Sequence, residues 1–282
     1  MEKIVAKKKI WLGVLIGVIS LMIIVGGVMI VKFVFSGYSE KEANKKEDKQ
    51  EEQVNHEEEV NEANVTLEKA PSNSSEYKNL EDGEYVTEKG YTLVIQDGVA
   101  SIDGHLIVNK TFSIPKTYQP VNSYVPVTSE RCMNCLEQEV MEAFQLMKSD
   151  AASVGLNIYI ASGYRSYSYQ ETLYNNYSAV SGVAGADTYS ARAGHSEHQT
   201  GLCFDLNSVD DSFAYTDEGK WIQENAYLYG FVIRYPKGKE EITGYQYEPW
   251  HLRYVGKELA YELYHQGNWI TMEEYYGVSS QY

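Results

Sequence analysis

The sequence has little of what disulfide-built proteins and nucleic-acid-binding proteins need. Only three of its 282 residues are cysteines, which excludes a scaffold held together mainly by disulfides. Basic residues are also scarce, with 24 lysines and arginines against 40 aspartates and glutamates, and the net charge of −16 argues against a nucleic-acid partner. The composition, 43% hydrophobic and 23% charged, is typical of a globular protein with one or two domains.

Charge is absent from one 22-residue run, Ile10–Val31, and an α-helix of about 20 apolar residues spans the core of a bilayer. Four lysines precede the run and one follows it, which predicts a cytoplasmic N-terminus and an exported remainder. A cleaved signal peptide is the alternative, but the run is long for one and no small-residue cleavage motif follows it. We predict that residues 1–36 are a cytoplasmic basic tip and a retained single-pass transmembrane anchor.

Aromatic residues are missing from the segment that follows. Between Ser39 and Ser72 there are eleven acidic residues and five lysines, with no aromatic side chain. Such a composition cannot bury a core and is typical of a solvated linker. A helical stalk is the alternative, because Glu, Lys and Ala favour helix. We predict an acidic disordered linker over residues 37–80, which holds the rest of the chain away from the membrane.

Residues 81–282 have the length and pattern of one domain. Asp97-Gly98 and Asp103-Gly104 separate short apolar segments, which indicates β-hairpin turns. Ser129 followed by a one-sided apolar pattern predicts a helix over 129–153. Short strands then alternate with helices. The expected fold class is α+β, with one small, mostly antiparallel sheet and flanking helices.

Two histidine-containing stretches, residues 194–205 and 247–254, carry the chemistry that the sequence offers. His198 and Asp205 are spaced as a loop entering a strand, and His251 lies on a different predicted strand. A catalytic zinc takes three such ligands and keeps a position open for water, although other divalent ions accept the same donors. Glu248 precedes His251 by three residues and is a candidate general base. Ordinary polar residues of a core are the alternative interpretation.

Several motifs together resemble the VanY-type D-alanyl-D-alanine carboxypeptidases, a group of zinc peptidases. They are Ser196 to Asp205, Glu248 with His251, Ser162 to Ser166 with Gln170, Gly219 to Pro236, and Tyr247 to Gly256. In order, they cover most of residues 105–265. The resemblance implies a zinc D,D-peptidase-like fold, one zinc ion bound by His198, Asp205 and His251, and Glu248 as the base.

The resemblance also implies roles on the substrate side. Arg165 would polarise the scissile carbonyl and hold the developing oxyanion, whereas a surface arginine is the alternative. Ser196 and Gln170 would contact the substrate together with Arg165, although short polar residues also serve as caps. His195 lies outside the metal pattern, so we expect it behind the ligands or exposed to solvent.

The activity implied is that of a membrane-anchored carboxypeptidase. It would remove the C-terminal D-alanine from peptidoglycan stem peptides, with a monomeric catalytic domain outside the cell. Three alternatives remain: an L,D-carboxypeptidase acting on stem tetrapeptides, an endopeptidase acting on cross-links, and a non-catalytic wall-binding module. The complete ligand set and Glu248 argue against the last, because a binding module needs no base.

The three cysteines have separate interpretations. Cys132 and Cys135 either form a local disulfide or stay as two thiols, and we assign them no catalytic role. Cys203 departs from the VanY-type pattern, which usually has a small residue such as Ala or Ser there. Strand periodicity places Cys203 on the same face as Asp205, so it is either a small buried residue or a thiolate ligand.

Overall fold

The computed structural model describes residues 68–69 and 80–282. The strands of these residues are β1 Glu68–Lys69, β2 Gly83–Val86, β3 Thr92–Gln96, β4 Val99–Ile102, β5 His105–Leu106, β6 Arg131–Cys132, β7 Ile160–Ser162, β8 Tyr164–Arg165, β9 Cys203–Leu206, β10 Phe231–Tyr235 and β11 Glu248–Tyr254. The helices are α1 Gln138–Ser153, α2 Tyr167–Ala186, α3 Asp217–Asn225, α4 Glu240–Thr243, α5 Lys257–Tyr264 and α6 Met272–Tyr276. Short 3₁₀ helices lie at Glu197–Thr200, Asp211–Tyr215, Ala226–Tyr229 and His265–Gly267.

The predicted anchor, residues 1–36, and nearly all of the predicted linker, residues 37–80, lie outside the described residues. Among the helices of the described part, none combines the length and the apolar character needed to cross a bilayer. The anchor and the linker therefore stay predictions from the sequence.

Strands β1 to β5 form a sheet in chain order, antiparallel except for the parallel pair β1 and β2. Its tight turns are the two predicted from the sequence. Asp97 and Gly98 have φ values of 52° and 70°, and Asp103 and Gly104 have 50° and 79°. Two consecutive positive φ values match the twist of a β-hairpin and favour Asp-Gly.

A second sheet carries the centre of the domain, with the order β10, β11, β9, β7 and antiparallel pairing throughout. All four residues of β9 and all five of β10 are buried. Helix α1 packs on this sheet through its apolar face, where the ring of Phe144 meets Phe204 at 5.1 Å. The α+β expectation is confirmed in its antiparallel character, but the described residues form three sheets rather than one.

The third sheet corrects the helix predicted from Ser129. Helix α1 begins only at Gln138, and Arg131 and Cys132 instead form β6, which pairs with β8. Cys132 and Cys135 are joined in a disulfide, and the Ser129 hydroxyl donates to the Arg131 carbonyl at 2.8 Å instead of capping a helix. Cross-strand pairing with a distant segment overrides the local helical pattern here.

Candidate active site

The antiparallel pairing of β9 with β11 brings the central residues of the site together. His251 lies directly opposite Asp205, and the His251 Nδ1 is 3.3 Å from the Asp205 Oδ1. Glu248 begins β11, and its Oε2 is 3.5 Å from the same nitrogen. Opposite residues of an antiparallel pair share one face of the sheet, so this pairing collects an imidazole and two carboxylates at one point.

His198 reaches the same point from the 3₁₀ helix before β9. Its Nε2 is 3.4 Å from the Asp205 Oδ2, and its Nδ1 donates to the Gly163 carbonyl at 2.6 Å. Gly201, with φ of 73°, turns the chain from this helix into β9, and a Cβ there would lie 2.7 Å from the Pro120 ring. The hydrogen bond at Nδ1 fixes the tautomer, which leaves Nε2 with a free lone pair.

The donors of this cluster fit a metal ion. In the described part of the chain, the buried His198 Nε2 and Asp205 Oδ1 make no hydrogen bond, and their ion-pair contacts are 3.4 and 3.3 Å long. Buried polar atoms are usually hydrogen-bonded, so both atoms can accept a further partner. The donor atoms of His198, Cys203 and His251 all lie within 4.8 Å of one another. Imidazole, carboxylate and thiolate are the donors that zinc binds.

Burial and charge act against each other at the buried acids. Burial opposes ionisation of Asp205, but His198 and His251 together hold its pKa well below the usual value. At Glu248 burial prevails over the attraction of His251 and raises the pKa to about 7. A carboxyl group with such a pKa accepts and returns a proton near neutral pH, as a general base must.

Glu197 is a buried acid whose importance the sequence analysis missed. Arg234 and Arg253 each donate to its Oε1 at 2.8 Å, and its Oε2 is 3.4 Å from the His251 Nε2. Burial alone would raise the pKa of Glu197, but the two guanidinium groups and His251 hold it well below its usual range. The ionised carboxylate therefore orients His251 with Nδ1 toward Asp205.

A second carboxylate extends this buried network. Glu273 in α6 accepts hydrogen bonds from two nitrogens of Arg234, at 2.8 and 2.6 Å. The side-chain amide of Asn109 donates to the same carboxylate at 3.0 Å. Arg234 is thus paired on both sides, between Glu197 and Glu273. The one available signal for the network was alternation along β11, which places His251 and Arg253 on one face.

One pocket, about 110 Å³ in volume, lies over the cluster. All seven residues predicted for the site line it: Arg165, Gln170, Ser196, His198, Asp205, Glu248 and His251. The Gln170 amide donates to the Ala191 carbonyl at 2.7 Å, which ties α2 to one wall. The buried Arg165 Nε makes no hydrogen bond within the described residues. His195 instead faces the Asn109 carbonyl at 2.8 Å and the Tyr282 ring.

Comparison with known proteins identifies the family of this chain. The family model described as VanY, D-alanyl-D-alanine carboxypeptidase, matches residues 133–257. The Bacillus subtilis protein YodJ is 38% identical over 219 residues, which cover 72% of this chain and 80% of YodJ. The chain belongs to the VanY family. The resemblance stated from the sequence motifs is therefore confirmed, and with it the expectation of a carboxypeptidase.

Solved structures similar to this VanY-family chain include two kinds of peptidase. The LdcB LD-carboxypeptidase is 36% identical and has a TM-score of 0.57, with 67% of this chain and 95% of LdcB covered. A variant of the vancomycin-resistance D,D-pentapeptidase VanY, in complex with Zn(II), is also 36% identical. Its TM-score is 0.50, with 60% of this chain and 96% of that chain covered. The α+β fold with antiparallel sheets is shared with these enzymes.

Proposed function

We propose that this protein is a zinc-dependent carboxypeptidase that removes the C-terminal D-alanine from peptidoglycan stem peptides. The observation that carries the proposal is the convergence of Glu248 and Arg165 on one pocket with His198, Asp205 and His251. The preferred substrate is the pentapeptide ending in D-Ala-D-Ala. The N-terminal segment would anchor the enzyme in the cell membrane as a monomer, with the catalytic domain outside the cell.

His198, Asp205 and His251 would hold the zinc ion; the His198 Nε2 faces one oxygen of the Asp205 carboxylate, and the His251 Nδ1 faces the other. When bound, zinc would supply a Lewis acid that acidifies water and polarises a carbonyl group. The Gly163 carbonyl and the Glu197 carboxylate keep the two imidazoles in place by binding their other nitrogens. Such outer contacts commonly change metal affinity or activity by about 10- to 100-fold.

Glu248 would carry the proton during hydrolysis. As the carboxylate it takes a proton from a water molecule, whose oxygen attacks the carbonyl carbon before the terminal residue. The carbon–nitrogen bond then breaks, and Glu248 returns the proton to the leaving amine. Its pKa of about 7 suits both directions of transfer.

Arg165 would stabilise the negative charge that develops on the carbonyl oxygen. It lies at the end of β8, and β8 is hydrogen-bonded to β6 in an antiparallel pair. The buried Nε that lacks a hydrogen bond in the described structure leaves the guanidinium with a donor to offer. Ser196 and Gln170 would complete the substrate side of the pocket.

An L,D-carboxypeptidase is the second candidate. The higher TM-score of LdcB, 0.57 against 0.50 for the zinc-bound VanY, favours it. Both candidates release D-alanine by the same chemistry and differ in the residue before it. In the pentapeptide this residue is D-alanine, whereas in the tetrapeptide it is an L-amino acid.

To test the proposal, the full-length protein in detergent is incubated with a synthetic stem pentapeptide and, separately, with the tetrapeptide. Each reaction is run without chelator, with chelator, and with zinc added back after chelation, and the products are identified by mass spectrometry. Loss of one D-alanine from the pentapeptide, abolished by chelator and restored by zinc, is the expected result. Cleavage of the tetrapeptide alone selects the L,D candidate, and cleavage of neither by the zinc-loaded protein overturns the proposal.

A further inference from the structure

Cys203 places a sulfur atom beside the two histidines of the site. Its side chain is fully buried, and its donor atom lies within 4.8 Å of those of His198 and His251. Because side chains alternate along a strand, Cys203 and Asp205 face the same side of β9. The sulfur is therefore an additional donor directed at the metal cluster.

The other cysteines do not compete for this role. The chain has three cysteines, and Cys132 and Cys135 are bonded to each other. Cys203 is thus the single free thiol of the protein. A second observation points to a ligand independently of the sulfur, since the buried His198 Nε2 has no hydrogen-bond partner within residues 80–282.

We propose that Cys203 donates its sulfur to the metal ion beside His198 and His251, whose donor atoms lie within 4.8 Å of it. On binding, the sulfur–metal bond forms and the thiol proton is released to solvent. The inference rests on the proposed function only in using the same metal site. It does not depend on which peptide is cleaved, or on whether any peptide is cleaved.

A sulfur donor changes which ions the site prefers. Thiolate is a soft ligand, so the centre should favour thiophilic cations such as cadmium more strongly than two imidazoles and a carboxylate alone. Substitution of Cys203 should therefore weaken the binding of such thiophilic cations more than it weakens the binding of harder divalent ions.

Cobalt(II) gives the first test, because sulfur bonded to cobalt produces an intense near-ultraviolet charge-transfer absorption. The full-length protein is loaded with Co²⁺ alone, and bound cobalt is quantified by elemental analysis. We expect the absorption in the wild type and its loss in Cys203→Ser and Cys203→Ala, compared at equal bound cobalt. With Cys132 and Cys135 in a disulfide, Cys203 alone can produce the band. A wild type with stoichiometric cobalt and no such band overturns the proposal.

X-ray absorption of the zinc-loaded protein gives the second test. We expect one sulfur neighbour of zinc in the wild type and none in Cys203→Ala. In competition with zinc, Cys203→Ala should lose the preference for cadmium that the wild type shows. Stoichiometric zinc without sulfur would overturn the inference and leave a zinc peptidase possible. A zinc–sulfur bond in a protein that cleaves no peptide would support this inference and overturn the proposed peptidase activity.

Discussion

At the scale of single residues, the two histidines of the site use opposite ring nitrogens. His198 directs Nε2 at Asp205, whereas His251 directs Nδ1 at the same carboxylate. Each choice is fixed by the partner of the other nitrogen, the Gly163 carbonyl for His198 and Glu197 for His251. The donor geometry is thus set before any ion arrives, which lowers the ordering cost of binding.

Replacement of Glu248 by Gln tests the proton carrier. The amide keeps the shape of the side chain but cannot accept a proton, so kcat should fall by about 10²- to 10⁴-fold. Metal content, measured by elemental analysis on the same sample, should stay at the wild-type level. Turnover close to that of the wild type would remove Glu248 from the reaction.

Replacement of His198 or His251 by Ala tests the ligand set. Each variant should lose zinc as well as activity, because one of the donors of the site is gone. His265→Ala is the matched control, since this histidine is exposed at the end of α5. Full zinc occupancy in either site variant, measured after dialysis, would exclude that residue as a ligand.

Glu197→Gln tests the buried network through its effect on stability. Without this charge, Arg253 loses its carboxylate partner and Arg234 keeps only Glu273, so unfolding in denaturant near neutral pH should cost about 3–5 kcal/mol less. The folded pKa of Glu197 lies below its usual value of 4.5. Its contribution is therefore complete above pH 4.5 and is lost as the pH falls toward the folded pKa.

The wild type and Glu197→Gln should accordingly converge in stability as the pH falls below 4.5. Both proteins are compared free of metal, so that loss of zinc does not contribute. A constant difference between them across this range would show that the charge of Glu197 is not the stabilising feature.

The sequence was sufficient for the residues that face the pocket but not for those that support them. The sequence spacing typical of the VanY family identified four of the pocket-facing residues: His198, Asp205, Glu248 and His251. Glu197 lies between Ser196 and His198 in the sequence, yet nothing in its spacing reveals that it is fully buried between Arg234 and Arg253. Burial of a charge depends on segments about 40 to 60 positions away, so local patterns cannot report it.

At the scale of elements, the disulfide-bonded loop Cys132–Cys135 packs against the segment that carries Gly163 and Arg165. Strand β6 pairs with β8, which carries Arg165. Between these strands the backbone is so close that a Cβ on Gly163 would collide with the Met133 carbonyl. The same Gly163 accepts the hydrogen bond from His198. The loop from Cys132 to Cys135 therefore holds both a substrate-side arginine and a metal-side histidine.

Removal of this disulfide tests the support. The double variant Cys132→Ser, Cys135→Ser should lose about 2 kcal/mol of stability from the opened short loop. It should also lower kcat/KM toward the stem peptide, because Arg165 and His198 are held less firmly. Asn134→Ala, an exposed change within the same loop, is the control that leaves the disulfide intact. Equal kcat/KM in the double variant and this control would show that the loop does not position the site.

The elements differed in how far the sequence predicted them. The two Asp-Gly hairpins were predicted because the required positive φ values restrict which residues fit. The expectation that Asp205 and His251 lie on two different strands is confirmed, since they lie in β9 and β11. The helix start at Ser129 was wrong, because β6 pairs with β8, which lies about 30 residues further along the chain, and because a local disulfide joins Cys132 to Cys135.

At the scale of the whole molecule, the predicted anchor gives a clear expectation for intact cells. Protease added from outside should remove the catalytic domain and leave a short membrane-bound stub, because only residues 1–36 are predicted in or behind the membrane. An antibody against a C-terminal epitope and one against an N-terminal epitope would follow the two parts. A catalytic domain that resists protease until the cells are opened would reverse the topology.

The link between α6 and the centre has a genetic consequence. A nonsense mutation just after Tyr254 would spare every proposed metal ligand and Glu248, yet it would delete Glu273. Arg234, which is almost fully buried in the intact chain, would lose one of its two carboxylate partners, and the buried apolar residues of α5 and α6 would be lost as well. We expect such an allele to behave as a folding defect, with little protein accumulating, although the sequence of its catalytic centre would be intact.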